Sequence, residues 1–172
     1  MLDIVKEVLT SQFQAALCTL NACIARCPEA AWDAPIGNLK FCQVAFHTLF
    51  FADLYLGHDV KSLSRQPFHR AHADYFRNYE ELEDRMVQLL YDKPTTLAYV
   101  QHVREKSAQA IAAETQESLM TRPGFEWLKF SRAEVYGYNT RHLQHHAAQL
   151  SLRLRIDHKI EIPWIGTRWR EL

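Results

Sequence analysis

The chain has 172 residues, with 20 basic and 20 acidic side chains and therefore no formal net charge. A hydrophobic content of 48% is ordinary for a globular protein and excludes a largely disordered chain. The balanced charge gives no electrostatic reason to expect binding to nucleic acid or to an anionic membrane surface. The length suits a single domain covering residues 1–172.

The first part of the chain predicts two long helices. Apolar residues recur at three- and four-residue steps over Leu2–Arg26, and Pro28 ends that segment. A second apolar stripe predicts a helix over Leu39–Leu56, with Asn38 as its N-cap. Trp32 lies between the two helices, and we expect it to anchor the connection on the bundle.

No segment predicts export or membrane insertion. The most apolar run, residues 44–56, is too short to span a bilayer, and the N-terminus lacks the layout of a signal peptide. The four cysteines fall in helical segments among apolar neighbours, which indicates buried free thiols in a reducing compartment. They are Cys18, Cys23, Cys27 and Cys42. We therefore expect a cytoplasmic protein.

Residues 58–74 show no clear period and predict a loop with one short turn of helix. A connection of this length is more often functional, or a cover over a site, than idle. A helical period returns over Tyr75–Tyr91, with Met86 on its apolar stripe. One face of this predicted helix is acidic, and we expect it to be solvated. Its members are Glu80, Glu81, Glu83 and Asp84.

The remaining chain predicts two more helices and a tail. Thr95 is expected to cap a helix that reaches about Met120, and Ser131 to open a last helix ending near His158. No segment has the period of two that is typical of strands. The pattern predicts an all-α fold, a four-helix bundle with an additional shorter helix and an extended C-terminal tail. The tail residues expected to pack along the bundle are Ile162, Trp164, Ile165 and Trp169.

Three of the nine histidines lie within five positions on the last predicted helix. His142 and His146 are four residues apart and share a face, where two imidazoles can bind one metal ion. His142 and His145 are also close, so this pair remains open. The polar stripe that continues through Tyr138 and Gln149 favours His146. Either pair needs a third ligand from elsewhere in the chain.

Other metal sites found on helices are disfavoured. The chain has no Glu-x-x-His motif of the di-iron bundles and no His-Glu-x-x-His motif of the metalloproteases. Glycine-rich phosphate loops and nucleophile elbows are also absent. A mononuclear three-histidine site completed by solvent remains. His47 lies on or beside the apolar face of the second helix and is a candidate ligand, whereas we expect the other histidines at the surface.

These segments resemble the DinB/YfiT-like superfamily of bacterial four-helix bundles. The resemblance is carried by Val44–Phe51 and Asn139–Leu150, and also by the stretch around Trp32 and by Ile162–Ile165. In layout it covers essentially the whole chain. One departure is Ala148, where the family often has glycine.

The resemblance implies that His47, His142 and His146 bind one divalent ion, with zinc or nickel expected and iron or manganese as alternatives. It also implies a reaction, because some relatives are transferases or isomerases that use a thiol such as bacillithiol or mycothiol. Three neutral ligands would leave the charge of the ion available to activate a thiol or a water molecule. Candidates for further contacts at this site are Tyr138, Asn139 and Gln149.

The leading hypothesis is a metal-dependent enzyme, with transfer to or from a low-molecular-weight thiol as its reaction and hydrolysis as the alternative. The expected partners are a small-molecule substrate and a second copy of the chain in a homodimer. The rival hypothesis is a non-catalytic bundle that binds a metal or serves as a dimeric interaction module.

Overall fold

The structure, a computed structural model, describes residues 1–83 and 87–171. Its helices are α1 (Leu2–Arg26), α2 (Glu29–Trp32), α3 (Phe41–Leu56), α4 (Val60–Leu63), α5 (Pro67–Ala71), α6 (Ala73–Phe76), α7 (Lys93–Ala113), α8 (Gln116–Met120) and α9 (Arg132–His158). A 3-10 helix covers Arg77–Leu82. The two-residue strands β1 (Pro35–Ile36) and β2 (Leu39–Lys40) form an antiparallel hairpin in which Pro35 pairs with Lys40.

The four long helices form a bundle, so the predicted all-α class is confirmed. Both α1 and α3 pack against α7 and α9. By length and composition alone α1 could cross a membrane, but half of its apolar window is buried in the bundle. Large side chains from all four helices fill the space between them, among them Phe13, Leu17, Phe46, Phe50, Tyr99 and Leu150. This apolar core sets the positions of the helices that carry the histidines.

Several local predictions agree with the structure. The helix α1 has the predicted bounds, and Ser131 accepts a hydrogen bond from the backbone N–H of Glu134 at the start of α9. The indole of Trp32 is buried and donates to the carbonyl of Tyr91 at 2.6 Å, as an anchor should.

The predicted helix over Tyr75–Tyr91 is wrong within the described residues. After α6 the chain forms only the short 3-10 helix, and residues 87–92 are not helical. Its apolar residues instead act as separate anchors: Phe76 and Tyr91 pack on Phe46 with ring centroids 6.0 and 3.7 Å away. Residues 84–86 of the predicted helix, among them Asp84 and Met86, lie outside the described residues.

Two predicted N-caps are also wrong. Asn38 lies in the hairpin turn, and α3 begins after Lys40, whose backbone N–H donates to Gln43 Oε1 at 2.8 Å. Thr95 lies inside α7, where its backbone N–H donates to the carboxylate of the true cap, Asp92, at 2.8 Å. In both helices the side-chain hydrogen bond that satisfies a free N–H decides where the helix begins.

The helix predicted to continue to Met120 ends at Ala113. Glu114 has extended backbone angles, and its buried carboxylate accepts hydrogen bonds from Arg132 Nε at 2.9 Å and the Tyr136 hydroxyl at 2.7 Å. These hydrogen bonds hold Glu114 against α9, and a separate helix, α8, begins two residues later at Gln116.

Arg132 connects the start of α9 to the end of α3. The two guanidinium NH groups donate at 2.6–2.7 Å to the carbonyls of Tyr55, Leu56 and Gly57. Further along, Asn139 Nδ2 donates to the carbonyl of Ala52 at 2.9 Å. The two helices therefore run antiparallel in a register fixed by polar contacts.

The C-terminal tail packs along the bundle as predicted, with one exception, and the structure places it against α1. Ile165 is buried, and the backbone N–H of Arg168 donates to the carbonyl of Ser11 at 3.0 Å. Trp164, which was expected to pack on the bundle, is instead 83% exposed. Because the tail has no helical period, the sequence does not determine which of its side chains face the bundle.

Candidate metal centre

Three imidazoles converge between α3 and α9. His47 Nε2 lies 3.3 Å from His142 Nε2, and one nitrogen from each of His47, His142 and His146 lies within 4.8 Å of the others. A tetrahedral ion with bonds of about 2.1 Å holds its ligating nitrogens about 3.4 Å apart. The cluster therefore has the size of a mononuclear metal site.

The positions of the histidines around the axis of α9 explain which of them face His47 on α3. On α9 the core side is formed by Leu143, Ala147 and Leu150, and the half-buried His142 and His146 lie beside it, towards α3. His145 is exposed. The structure thus brings together the three predicted residues and leaves His145 outside their cluster, although its ring lies 4.9 Å from that of His146.

Hydrogen bonds leave the Nε2 atoms of two rings available for an ion. Glu81 Oε2 lies 2.8 Å from His47 Nδ1, and Gln149 Oε1 lies 2.8 Å from His146 Nδ1. An ionised carboxylate and an amide oxygen accept hydrogen bonds, so each Nδ1 can donate to its partner while Nε2 keeps a lone pair for an ion. In His142, Nδ1 is buried without a hydrogen-bond partner among the described residues. These residues fit a bound divalent cation.

The contact of Glu81 was not predicted. Its side chain is only 5% exposed, although it belongs to the acidic run that was expected to be solvated. The acidic composition is typical of a surface, and only the turn formed by the 3-10 helix places this carboxylate beside His47. Gln149, by contrast, makes the kind of contact that was expected of it.

Two other predicted contact residues, Tyr138 and Asn139, make contacts between helices. Tyr138 packs edge-on against Tyr55 with ring centroids 5.4 Å apart, and Asn139 donates to the carbonyl of Ala52. Both contacts join α9 to α3. These side chains thus support the helix pair that carries the histidines.

The site can be reached from solvent. The side chain of His47 is 25% exposed. Two clefts of about 470 and 490 Å³ are lined by other residues, the first including His72 and Asp92 and the second Glu7 and Arg168. The exposed edge of His47 is therefore the part of the cluster that these clefts leave open to solvent.

The electrostatic environment keeps two of the imidazoles neutral. Burial, together with the neighbouring histidines, lowers the pKa of His142 to about 3. Burial also outweighs the hydrogen bond to Gln149 and lowers the pKa of His146 to about 4. A histidine must be neutral to bind a metal, so this pair is ready to do so at pH 7.

These lowered pKa values predict acid destabilisation of the metal-free protein. An unfolded histidine binds a proton near pH 6.5, whereas folded His142 and His146 do so only at lower pH. As the pH falls below about 6.5, the unfolded chain gains protons first and the free energy of unfolding should decrease. Urea unfolding between pH 7 and about 5, above the titration of most carboxylates, measures this slope. His142→Gln should reduce it, and an unchanged slope would contradict the prediction.

A second buried polar cluster lies around Asp53. Its carboxylate is within 2.6 Å of His69 Nε2, 2.9 Å of the Tyr99 hydroxyl and 2.5 Å of Lys106 Nζ. The prediction that the remaining histidines lie at the surface is thus wrong for His69, which is buried, because Asp53 supplies a partner inside the core. His102 Nε2 lies 3.9 Å away from the same carboxylate.

The Asp53 cluster is a structural ion-pair network. Burial alone would raise the pKa of Asp53, but the hydrogen bond from His69 and the charge of Lys106 outweigh it and hold that pKa well below its usual range. The ammonium group already supplies the positive charge that a metal ion would bring. The cluster therefore joins α3 to α5 and α7 without needing an ion.

The family model described as the DinB superfamily matches residues 12–150. This range contains His47, His142 and His146 and most of the bundle. No curated protein and no solved structure shows significant similarity to the chain.

Proposed function

The chain belongs to the DinB superfamily, and we propose that it is a divalent-metal-dependent enzyme whose ion is bound by His47, His142 and His146. The convergence of their nitrogens, with 3.3 Å between the first two, carries the proposal. Zinc or nickel is the expected ion, with iron or manganese as the alternatives, and imidazole suits zinc, nickel and iron alike. Such an ion would lower the pKa of a coordinated thiol or water molecule.

The reaction we propose is S-transfer with a low-molecular-weight thiol. Burial raises the pKa of Cys23 to about 12 and that of Cys27 and Cys42 to about 11. Thiols of this kind are poor nucleophiles at neutral pH, since the thiolate is the reactive form. The nucleophilic thiol would therefore come from a second molecule.

The surrounding side chains would orient and shield the ligands. Gln149 holds the ring of His146, and Glu81 holds that of His47. The ring of Phe51 packs 4.8 Å from His47 and 5.7 Å from His142. This aromatic contact limits the access of water to one side of the site.

The metal content of the purified protein and a thiol-transfer assay test the proposal. We expect about one zinc or nickel ion per chain and conjugation of a thiol to the electrophile monobromobimane, lost after chelation and restored by the metal. Several thiols should be compared in parallel, with metal alone as the blank. Metal-dependent cleavage of ester substrates without any thiol would favour hydrolysis, and a protein that binds no divalent metal would contradict the proposal.

A further inference from the structure

Glu81 is a buried carboxylate beside the candidate metal centre. Its side chain is 5% exposed, and carboxylates are rarely buried so deeply without a partner. Oε2 has such a partner in His47 Nδ1 at 2.8 Å. Oε1 is buried with no hydrogen-bond partner within residues 1–83 and 87–171. The contact with His47 is therefore the hydrogen bond that the described residues give this carboxylate.

The contact decides which nitrogen of His47 carries the proton. An ionised carboxylate can only accept hydrogen bonds, so Nδ1 of the neutral ring donates and Nε2 is left with a lone pair. Nε2 is also the atom that lies 3.3 Å from His142 Nε2. Metal-binding histidines commonly donate their second N–H to a carboxylate, which fixes the ring and raises the basicity of the ligating nitrogen.

The backbone shows how Glu81 reaches a histidine on another element. Arg77 and Tyr79 have φ values of 26° and 58°, in a region that bulky residues rarely adopt. The Tyr79 hydroxyl lies 3.2 Å from Nδ1 of the buried His69. Contacts at Tyr79 and at Glu81 therefore hold this unfavourable turn, which persists only where the surroundings impose it.

We propose that Glu81 is a positioning residue that holds His47 in the Nδ1–H tautomer, with Nε2 directed at the metal ion. The inference rests on the proposed function, because it places an ion among the three imidazoles. It differs from a purely structural contact, in which removing the carboxylate would leave the metal affinity of the site unchanged.

Nitrogen NMR of the metal-free protein at neutral pH reports the tautomer of His47 directly. We expect Nδ1–H in the unmodified protein and loss of this preference in Glu81→Ala. Zinc affinity, measured by competition with a chromophoric chelator, should fall by about 10- to 100-fold in Glu81→Ala. Glu81→Gln keeps an acceptor oxygen and should lose less affinity than Glu81→Ala.

Glu83→Gln is the matched control, because it removes a negative charge from the same segment and should leave both the tautomer and the zinc affinity unchanged. A doubly protonated or Nε2–H His47 in the unmodified protein would overturn the role of Glu81. So would unreduced zinc affinity in Glu81→Ala, while leaving the proposed function intact. An Nδ1–H tautomer in a protein that binds no metal would overturn the proposed function and this inference with it. Circular dichroism establishes that each variant is folded.

Discussion

Replacing His142 with alanine is expected to lower zinc or nickel affinity by more than about 100-fold, beyond the loss typical of an outer-shell residue, and to abolish turnover. The two remaining imidazoles would bind the ion far more weakly than three. The helix should persist, because alanine is the best helix former and Leu143 and Ala147 keep α9 on the core. Added metal should therefore restore little activity.

His145→Ala is the matched control for this experiment. His145 lies on the same helix, is exposed, and contacts Gln149 at 3.2 Å without joining the cluster. Chelator competition and circular dichroism on both variants should show a loss of affinity for His142→Ala alone, with unchanged helix content. Equal losses in the two variants would mean that His145 is a ligand, and no loss in either would remove the three-histidine site.

Replacing Asp53 with alanine is expected to reduce the free energy of unfolding by about 3–5 kcal/mol, the usual cost of breaking a buried charge pair. The substitution leaves His69, Tyr99 and Lys106 without their shared acceptor in the core. For a chain of this size the loss corresponds to a decrease in Tm of roughly 6–20 °C.

Asp157→Ala tests whether the effect of Asp53→Ala depends on burial. Asp157 pairs with Arg153 at 2.5 Å on α9, but their side chains are 34% and 45% exposed. Such a pair contributes about 0.3–0.5 kcal/mol. Urea denaturation of both variants should give a large loss for Asp53→Ala alone. A loss below about 1 kcal/mol for Asp53→Ala would mean that water or a rearranged side chain replaces the carboxylate.

The bounds of α1 and the start of α9 were predictable because their signals are local. The recurrence of apolar residues predicted the bounds of α1, and the capping pair Ser131 and Glu134 predicted the start of α9. The i, i+4 spacing of His142 and His146 is equally local. The choice of His47 as the third ligand depended on the resemblance. The spacing of residues within one helix does not show which residue of another helix they contact.

Buried charged residues whose partners are distant in sequence were not predictable. Glu81 lies in an acidic run that is typical of a solvated face, and the positive φ values of Arg77 and Tyr79 that redirect the chain are unusual for such residues. Asp53 interrupts an apolar helix, and only the fold shows that Lys106 and His69 neutralise and bind it. In both cases the decisive partner is distant in sequence.

The hydrogen bonds from Arg132 to the end of α3 fix how α9 is aligned with α3, and this alignment determines the distance between His47 and His142. His142 lies roughly three turns beyond Arg132, and His47 lies about as far back from the carbonyls that Arg132 binds. A slip of one helix past the other by a single turn, about 5.4 Å, would separate His47 from His142 by more than one ion can bridge. The positions of the ligands thus depend on contacts made at the opposite end of the helix pair. Substitutions there would be expected to weaken metal binding although they replace none of the three histidines.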